Sequence, residues 1–170
     1  MSFWKIKLNT LYIEPLYRGV DRLAKMYSMI IEAPIEWVWE YIKDFNDWAP
    51  LIPGYVSHKI VNEKESNWAF KTDIGPLKKK IEFRLDILSM HAPRSMTFQV
   101  NGLNEGFTGH GQIEAKKLKR DRTFLTASID LQATGPLAKI IKPMLKNNPP
   151  KITKEFKEEV TTRIHEYNRH

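Results

Sequence analysis

The spacing of apolar positions changes period twice along this chain, and the changes divide it into predicted elements. From Lys25 to Glu32 the residues Met26, Tyr27, Met29, Ile30 and Ile31 form a short β-compatible run that predicts a strand. After Ala33-Pro34, the apolar residues Ile35, Val38, Trp39 and Ile42 recur at i, i+3, i+4 and i+7, one face of a helix. Pro34 suits the opening of its first turn, Glu36 complements the positive end of the helix dipole, and the pattern stops near Asp44. Trp48, Pro50, Pro53 and Gly54 then allow at most one further turn before a sharp bend.

From Tyr55 to Ala133 the period becomes two. Trp68, Phe70, Thr72 and Ile74 alternate with Ala69, Lys71 and Asp73, and Ile81, Phe83, Leu85 and Ile87 alternate with Glu82, Arg84 and Asp86. Met96, Phe98 and Val100 repeat the pattern, as do Leu125, Ala127, Ile129 and Leu131. Turn signals at Gly75-Pro76, Ala92-Pro93, Asn101-Gly102 and Arg120-Asp121 are short, which predicts antiparallel meander connections and six consecutive strands. Helical spacing returns after Gly135-Pro136. Leu137, Ile140, Ile141 and Leu145 form one stripe, and Ile152, Phe156, Val160 and Ile164 form another, with Asn147-Asn148-Pro149-Pro150 predicting a break between two pieces.

Strand, helix, six antiparallel strands and a long amphipathic helix make an α+β class with one strongly curved sheet of seven strands. An inner face offering Phe70, Phe83, Phe98 and Ile129 needs an apolar cover, and the C-terminal stripe supplies it. Two readings of that meeting are open. Aromatic stripes commonly fill a core completely; a twisted sheet that matches the helix poorly at one end leaves an apolar gap.

Composition narrows the class. With 170 residues, 42% of them hydrophobic and 11% aromatic, the chain buries an ordinary core, and one domain is expected. Zero cysteines exclude disulfides, thiol nucleophiles and cysteine metal sites. No run approaches the length of a spanning apolar helix, and the start, with Trp4, Lys5, Ile6 and Lys7, builds no signal-peptide core, so a cytoplasmic protein is expected, with peripheral membrane contact as an option. A net charge of +7 admits an anionic partner.

The segment Ala33-Pro34-Ile35-Glu36-Trp37-Val38-Trp39-Glu40-Tyr41-Ile42-Lys43-Asp44 resembles the opening helix of the START-like or Bet v 1-like (SRPBCC) superfamily. Ile52-Pro53-Gly54, Gly75-Pro76, Ala92-Pro93, Gly102, Glu105 through Gly111, and Gly135-Pro136-Leu137-Ala138 are similar in order and spacing to one branch, the CoxG-like family associated with aerobic carbon monoxide dehydrogenase. The resemblance covers roughly residues 25–167. It implies a helix-grip fold, a seven-stranded sheet around a C-terminal helix with an apolar cavity, and a hydrophobic ligand such as a lipid, quinone or polyketide. For the branch it implies assembly or membrane recruitment of a molybdenum hydroxylase. Residues 1–24 are then an N-terminal extension to a ligand-binding domain of residues 25–170.

The expected cavity wall is Trp39, Trp48, Phe70, Phe83, Phe98, Phe107, Ile141, Met144 and Phe156. Among the five histidines no HExxH or HxH pair occurs, and neither a metal nor a cofactor is expected. No GxSxG, Walker or GxGxxG motif is present. A cyclase or hydrolase on the same fold would need an inward polar group; the candidates are Thr72, Asn101 and His110. The glycines of Gly109-His110-Gly111 permit a bulge that would turn His110 inward, although strict alternation places it opposite Phe107 and Ile113. Two basic runs, Lys78-Lys79-Lys80 and Lys116-Lys117-Leu118-Lys119-Arg120, are either solubilising edge charges or a patch for an anionic membrane. They lack the interleaved aromatics of a nucleic-acid surface. A redox-enzyme partner is the further option.

Overall fold

The computed structural model describes residues 12–17, 20–52, 54–74, 77–104, 106–134 and 150–169. Its elements are β1 (Tyr12–Tyr17), β2 (Val20–Ile31), α1 (Ile35–Ile42), α2 (Phe45–Trp48), a 3-10 turn (Ala49–Leu51), β3 (Tyr55–Ile60), β4 (Glu65–Ile74), β5 (Leu77–His91), β6 (Ser95–Gly102), β7 (Phe107–Lys119), β8 (Arg122–Thr134) and α3 (Pro150–Tyr167). The strands form one antiparallel sheet in the order β1-β2-β8-β7-β6-β5-β4-β3. The seven strands from β2 onward make the curled half-barrel that the alternation predicts. The N-terminal segment adds an eighth, β1, at the β2 edge, with Tyr12 opposite Ala24 and Glu14 opposite Arg22. Strand β2 begins at Val20 and not at Lys25, so the sheet draws on residues 12–17 and 20–24 of the expected extension. The bend after α1 holds one α-helical turn and a 3-10 turn, more than the single turn expected, and the Asn101-Gly102 pair ends β6 while the turn itself falls after it.

The local chemistry accounts for the helical corner. Pro34 sits at the N-cap of α1 with extended backbone (φ −58°, ψ 146°), and Ile35, Val38, Trp39 and Ile42, the predicted face, are buried with Tyr41. Asp44 caps α2 by accepting from the backbone N–H of Asn46 at 2.9 Å. This corner runs across the concave side: α1 contacts β7 and β8, and Phe45 packs edge-on against Trp68 at 5.4 Å. Helix α3 rests on α1 and β2. Its Val160 and Ile164 are 2% and 0% exposed, as the stripe predicts, and His165 donates from Nε2 to the Glu32 carbonyl at 2.6 Å. The stripe Leu137, Ile140, Ile141 and Leu145 and the predicted break at Asn147–Pro149 lie outside the described residues, and α3 starts at Pro150, where the missing N–H costs no helical bond.

Register fixes the two faces of the sheet. Trp68 pairs with Phe83, Phe98 with Gly111 and Gly111 with Ile129, so the predicted inner aromatics share the concave side. Ile31, Val38, Trp39, Met96, Val160 and Ile164 belong to the core between that face and the helices.

Candidate functional site

The concave face carries a continuous row of rings. Trp68 stacks with Phe83 at 6.2 Å and 5° between planes, Phe70 with Phe83 at 5.8 Å and 20°, and Phe83 meets Phe107 edge-on at 6.1 Å. Trp48 closes one end, 6.4 Å from Trp68, with its indole N–H donated to the Ile42 carbonyl at 2.8 Å. The structure therefore brings together five of the nine expected wall residues, Trp48, Phe70, Phe83, Phe98 and Phe107, on or over one surface. Trp39 is on α1 and only 2% exposed, within the core. Ile141, Met144 and the side chain of Phe156 lie outside the described residues. Burial along the row is uneven: Trp68 and Phe107 are buried, whereas Phe70, Phe83 and Phe98 are partly buried against the core.

The polar candidates fall elsewhere. His110 pairs with Gln99 on β6 and Asp130 on β8 in unbroken register, so no bulge forms and its exposed side chain points to the convex face. The flanking glycines have another cause. A Cβ on Gly109 would lie 2.9 Å from the Asp130 carbonyl oxygen and 2.9 Å from Cγ2 of Val100, and one on Gly111 would overlap the Phe98 ring. They make room for concave-face side chains. Asn101, expected to point inward, pairs with Arg84 and Thr108 on the convex side because the register of β6 runs on from Phe98 without a shift. Thr72 pairs with Lys79, and its side chain is outside the described residues. Lys78 to Lys80 sit at the β4–β5 end of the sheet, Lys80 in an ion pair with Glu82 at 3.1 Å; Lys116 to Arg120 sit on the β7–β8 hairpin at the opposite end. The two basic runs are separate surfaces.

A polar cluster at the rim of the aromatic row has no counterpart among the predicted residues. In β3 the pairing shifts between Tyr55 and Ser57: Tyr55 pairs with Phe70 and His58 with Trp68. Val56 is the extra residue of this β-bulge, and the bulge puts two residues three apart onto the same, concave, face. There the Tyr55 hydroxyl lies 2.5 Å from His58 Nδ1, and His58 Nε2 lies 2.7 Å from Asn46 Oδ1 on α2. The His58 ring stacks on Trp68 at 4.8 Å and 23°, and Trp68 donates its N–H to Ser66 Oγ at 2.8 Å. Burial pulls the His58 pKa down and so favours the neutral imidazole, while the nearby Asp44 carboxylate acts in the opposite sense.

Asn46 also lines an open groove of about 680 Å³ between the α1–α2 corner and the end of α3, with Tyr41, Asp47, Arg163, Glu166 and Tyr167 around it. Burial pushes the Tyr41 phenol up to about 12, with Arg163 acting in the other sense, and its hydroxyl donates to the Asp47 carbonyl at 3.0 Å. Asp47 is raised by burial and by Asp44. This groove is polar and lies outside the aromatic row. Among the described residues no three His, Asp or Glu side chains converge as a metal site, and no helix is long and apolar enough to cross a membrane.

A protein-family model matches residues 23–167. No curated protein matches the sequence significantly. Among solved structures, the chain is similar to a conserved protein from Geobacillus kaustophilus, with a TM-score of 0.68 and 19% identity over 84% of this chain and 95% of that one. It is similar to norcoclaurine synthase from Thalictrum flavum in complex with dopamine and hydroxybenzaldehyde, with a TM-score of 0.59 and 11% identity over 86% and 90%. A third is the Zhui aromatase/cyclase from a Streptomyces species, with a TM-score of 0.51 and 18% identity over 85% and 87%. At these identities the likeness is one of fold.

Proposed function

We propose that this chain, whose curled sheet and C-terminal helix have a Bet v 1-like (SRPBCC-type) fold, binds a hydrophobic small molecule on its concave face, a lipid, quinone or polyketide-like compound, for transport or presentation. One observation carries the reading. Phe70, Phe83 and Phe98 face the same side as the buried Met96 and Trp68, yet keep accessible surface. Covering about 200 Å² of such apolar surface contributes roughly 5 kcal/mol before the cost of immobilising the ligand, enough to retain an apolar molecule whose solubility in water is low. The order of the motifs from Ile52-Pro53-Gly54 to Gly135-Pro136-Leu137-Ala138 supports the finer reading of a CoxG-like branch and a recruitment role beside a molybdenum hydroxylase.

The test is organic extraction and native mass spectrometry of the purified chain, followed by displacement of a bound apolar dye from the delipidated protein. A co-purifying apolar compound that displaces the dye, and loses affinity in Phe83→Ala, is the expected result. A delipidated protein that takes up no apolar dye sinks the proposal.

A further inference from the structure

The hydrogen-bond chain at the rim of the aromatic row has a direction, and the direction selects the chemistry of what it can hold. Asn46 Oδ1 only accepts, so the hydrogen on the His58 imidazole is at Nε2. The neutral ring then has its lone pair at Nδ1, where it accepts from the Tyr55 hydroxyl. With its proton committed to His58, the Tyr55 oxygen is left with acceptor capacity alone. Its ring packs edge-on against Phe70 at 6.0 Å and Trp68 at 6.3 Å, so the hydroxyl terminates the apolar row, and both Tyr55 and His58 retain accessible surface. The lowered affinity of His58 for a second proton is consistent with this neutral arrangement, and Asp44 is the one charged group among the described residues that acts on it.

We propose that Tyr55 is the polar anchor of the concave face and accepts a hydrogen bond from a hydroxyl group on an otherwise apolar ligand, with His58 and Asn46 as positioning residues that fix Tyr55 as an acceptor. The inference rests on the reading that the concave face binds an apolar molecule, and it narrows that reading from any apolar molecule to a phenol or alcohol. A β-bulge at Val56 in an edge strand is what builds the site, since regular pairing would send Tyr55 and His58 to opposite faces.

The test uses two probes of nearly equal size and apolarity, 2-naphthol, which carries a hydroxyl donor, and 2-methoxynaphthalene, which can only accept. Each is titrated by its own fluorescence into the delipidated full-length chain at pH 7.5. The wild type is expected to bind 2-naphthol about three- to tenfold more tightly, the range of one net hydrogen bond. In Tyr55→Phe the ratio should fall to one while 2-methoxynaphthalene affinity stays within twofold, which also shows that the variant is folded. In His58→Phe, which keeps a ring stacked on Trp68 but removes the Nδ1 acceptor, the Tyr55 proton is released, 2-methoxynaphthalene should gain affinity, and the ratio should collapse. Equal binding of the two probes by the wild type, or a preference that survives Tyr55→Phe, overturns the anchor and leaves the apolar site standing. A ratio unchanged in His58→Phe overturns the positioning role. Binding of neither probe overturns both the anchor and the apolar site beneath it.

Discussion

The ring of Phe98 on β6 occupies the space that a side chain at Gly111 on β7 would fill, directly across the strand pair on the concave face. The pair explains a glycine inside a central strand, where it otherwise costs conformational entropy and contributes no packing. Gly111→Ala should therefore push Phe98 out of place and destabilise the fold by about 1–3 kcal/mol, the usual cost of overpacking. Chemical denaturation checks it. His110→Ala, next in sequence but exposed on the convex face, should shift stability by no more than about 0.5 kcal/mol.

Thr123 is fully buried at the start of β8, and its hydroxyl donates to the Ala33 carbonyl at 2.8 Å, which ties the turn between β2 and α1 to the sheet. Thr123→Val preserves shape but strands that carbonyl without a donor. The expected loss is about 1–3 kcal/mol in urea denaturation, and Thr123→Ser should recover most of it because the hydroxyl returns.

The parts of this architecture legible in the sequence are those governed by a single period. The α1 face Ile35, Val38, Trp39 and Ile42 is buried as its spacing requires, and on β5 Ile81 and Leu85 are buried with Phe83 partly buried between them on the same face. The rim cluster was illegible for a definite reason. A bulge at Val56 breaks the period of two, so Tyr55 and His58 read as facing opposite ways although they meet on one face, and Asn46 joins them across 12 residues through the path of α2. Conversely, Gly109-His110-Gly111 drew attention to the histidine, when the glycines answer to Val100, Leu131 and Phe98 on the other side of the sheet. A flanking glycine marks a close approach without saying which face it is on. The strand at Tyr12–Tyr17 pairs with β2, its neighbour in sequence, but Glu14-Pro15 in its middle breaks the alternation that would announce a strand.

His58 gives the fold a pH dependence of defined sign. Its folded pKa lies below the ordinary value of about 6.5 because burial disfavours the imidazolium. Above that ordinary value both folded and unfolded chains hold it neutral, and its contribution to stability is complete; as pH falls through the folded pKa the unfolded chain has already taken up the proton, and the contribution is lost. Denaturation midpoints of wild type and His58→Phe between pH 7.5 and 5 should show wild-type stability falling more steeply. Parallel profiles would contradict the burial of the imidazole.

Tyr41 sets a second dependence at the other end of the scale. Its side chain is 2% exposed, its hydroxyl donates to the Asp47 carbonyl, and burial holds its pKa at about 12 against an ordinary 10.0. Here the folded pKa is the higher one, so the contribution of the neutral phenol is complete below about pH 10 and disappears as pH rises from there through about 12, where the unfolded chain ionises first. Absorbance at 295 nm followed from pH 8 to 12.5 should resolve one late tyrosine that is missing in Tyr41→Phe. The variant should also flatten the alkaline fall in thermal stability, even though it loses the hydrogen bond to Asp47 and starts about 1 kcal/mol less stable at pH 8. If every tyrosine ionises together near pH 10 while the chain is still folded, the phenol is in contact with water and the closed packing of α1 against α3 at this point is refuted.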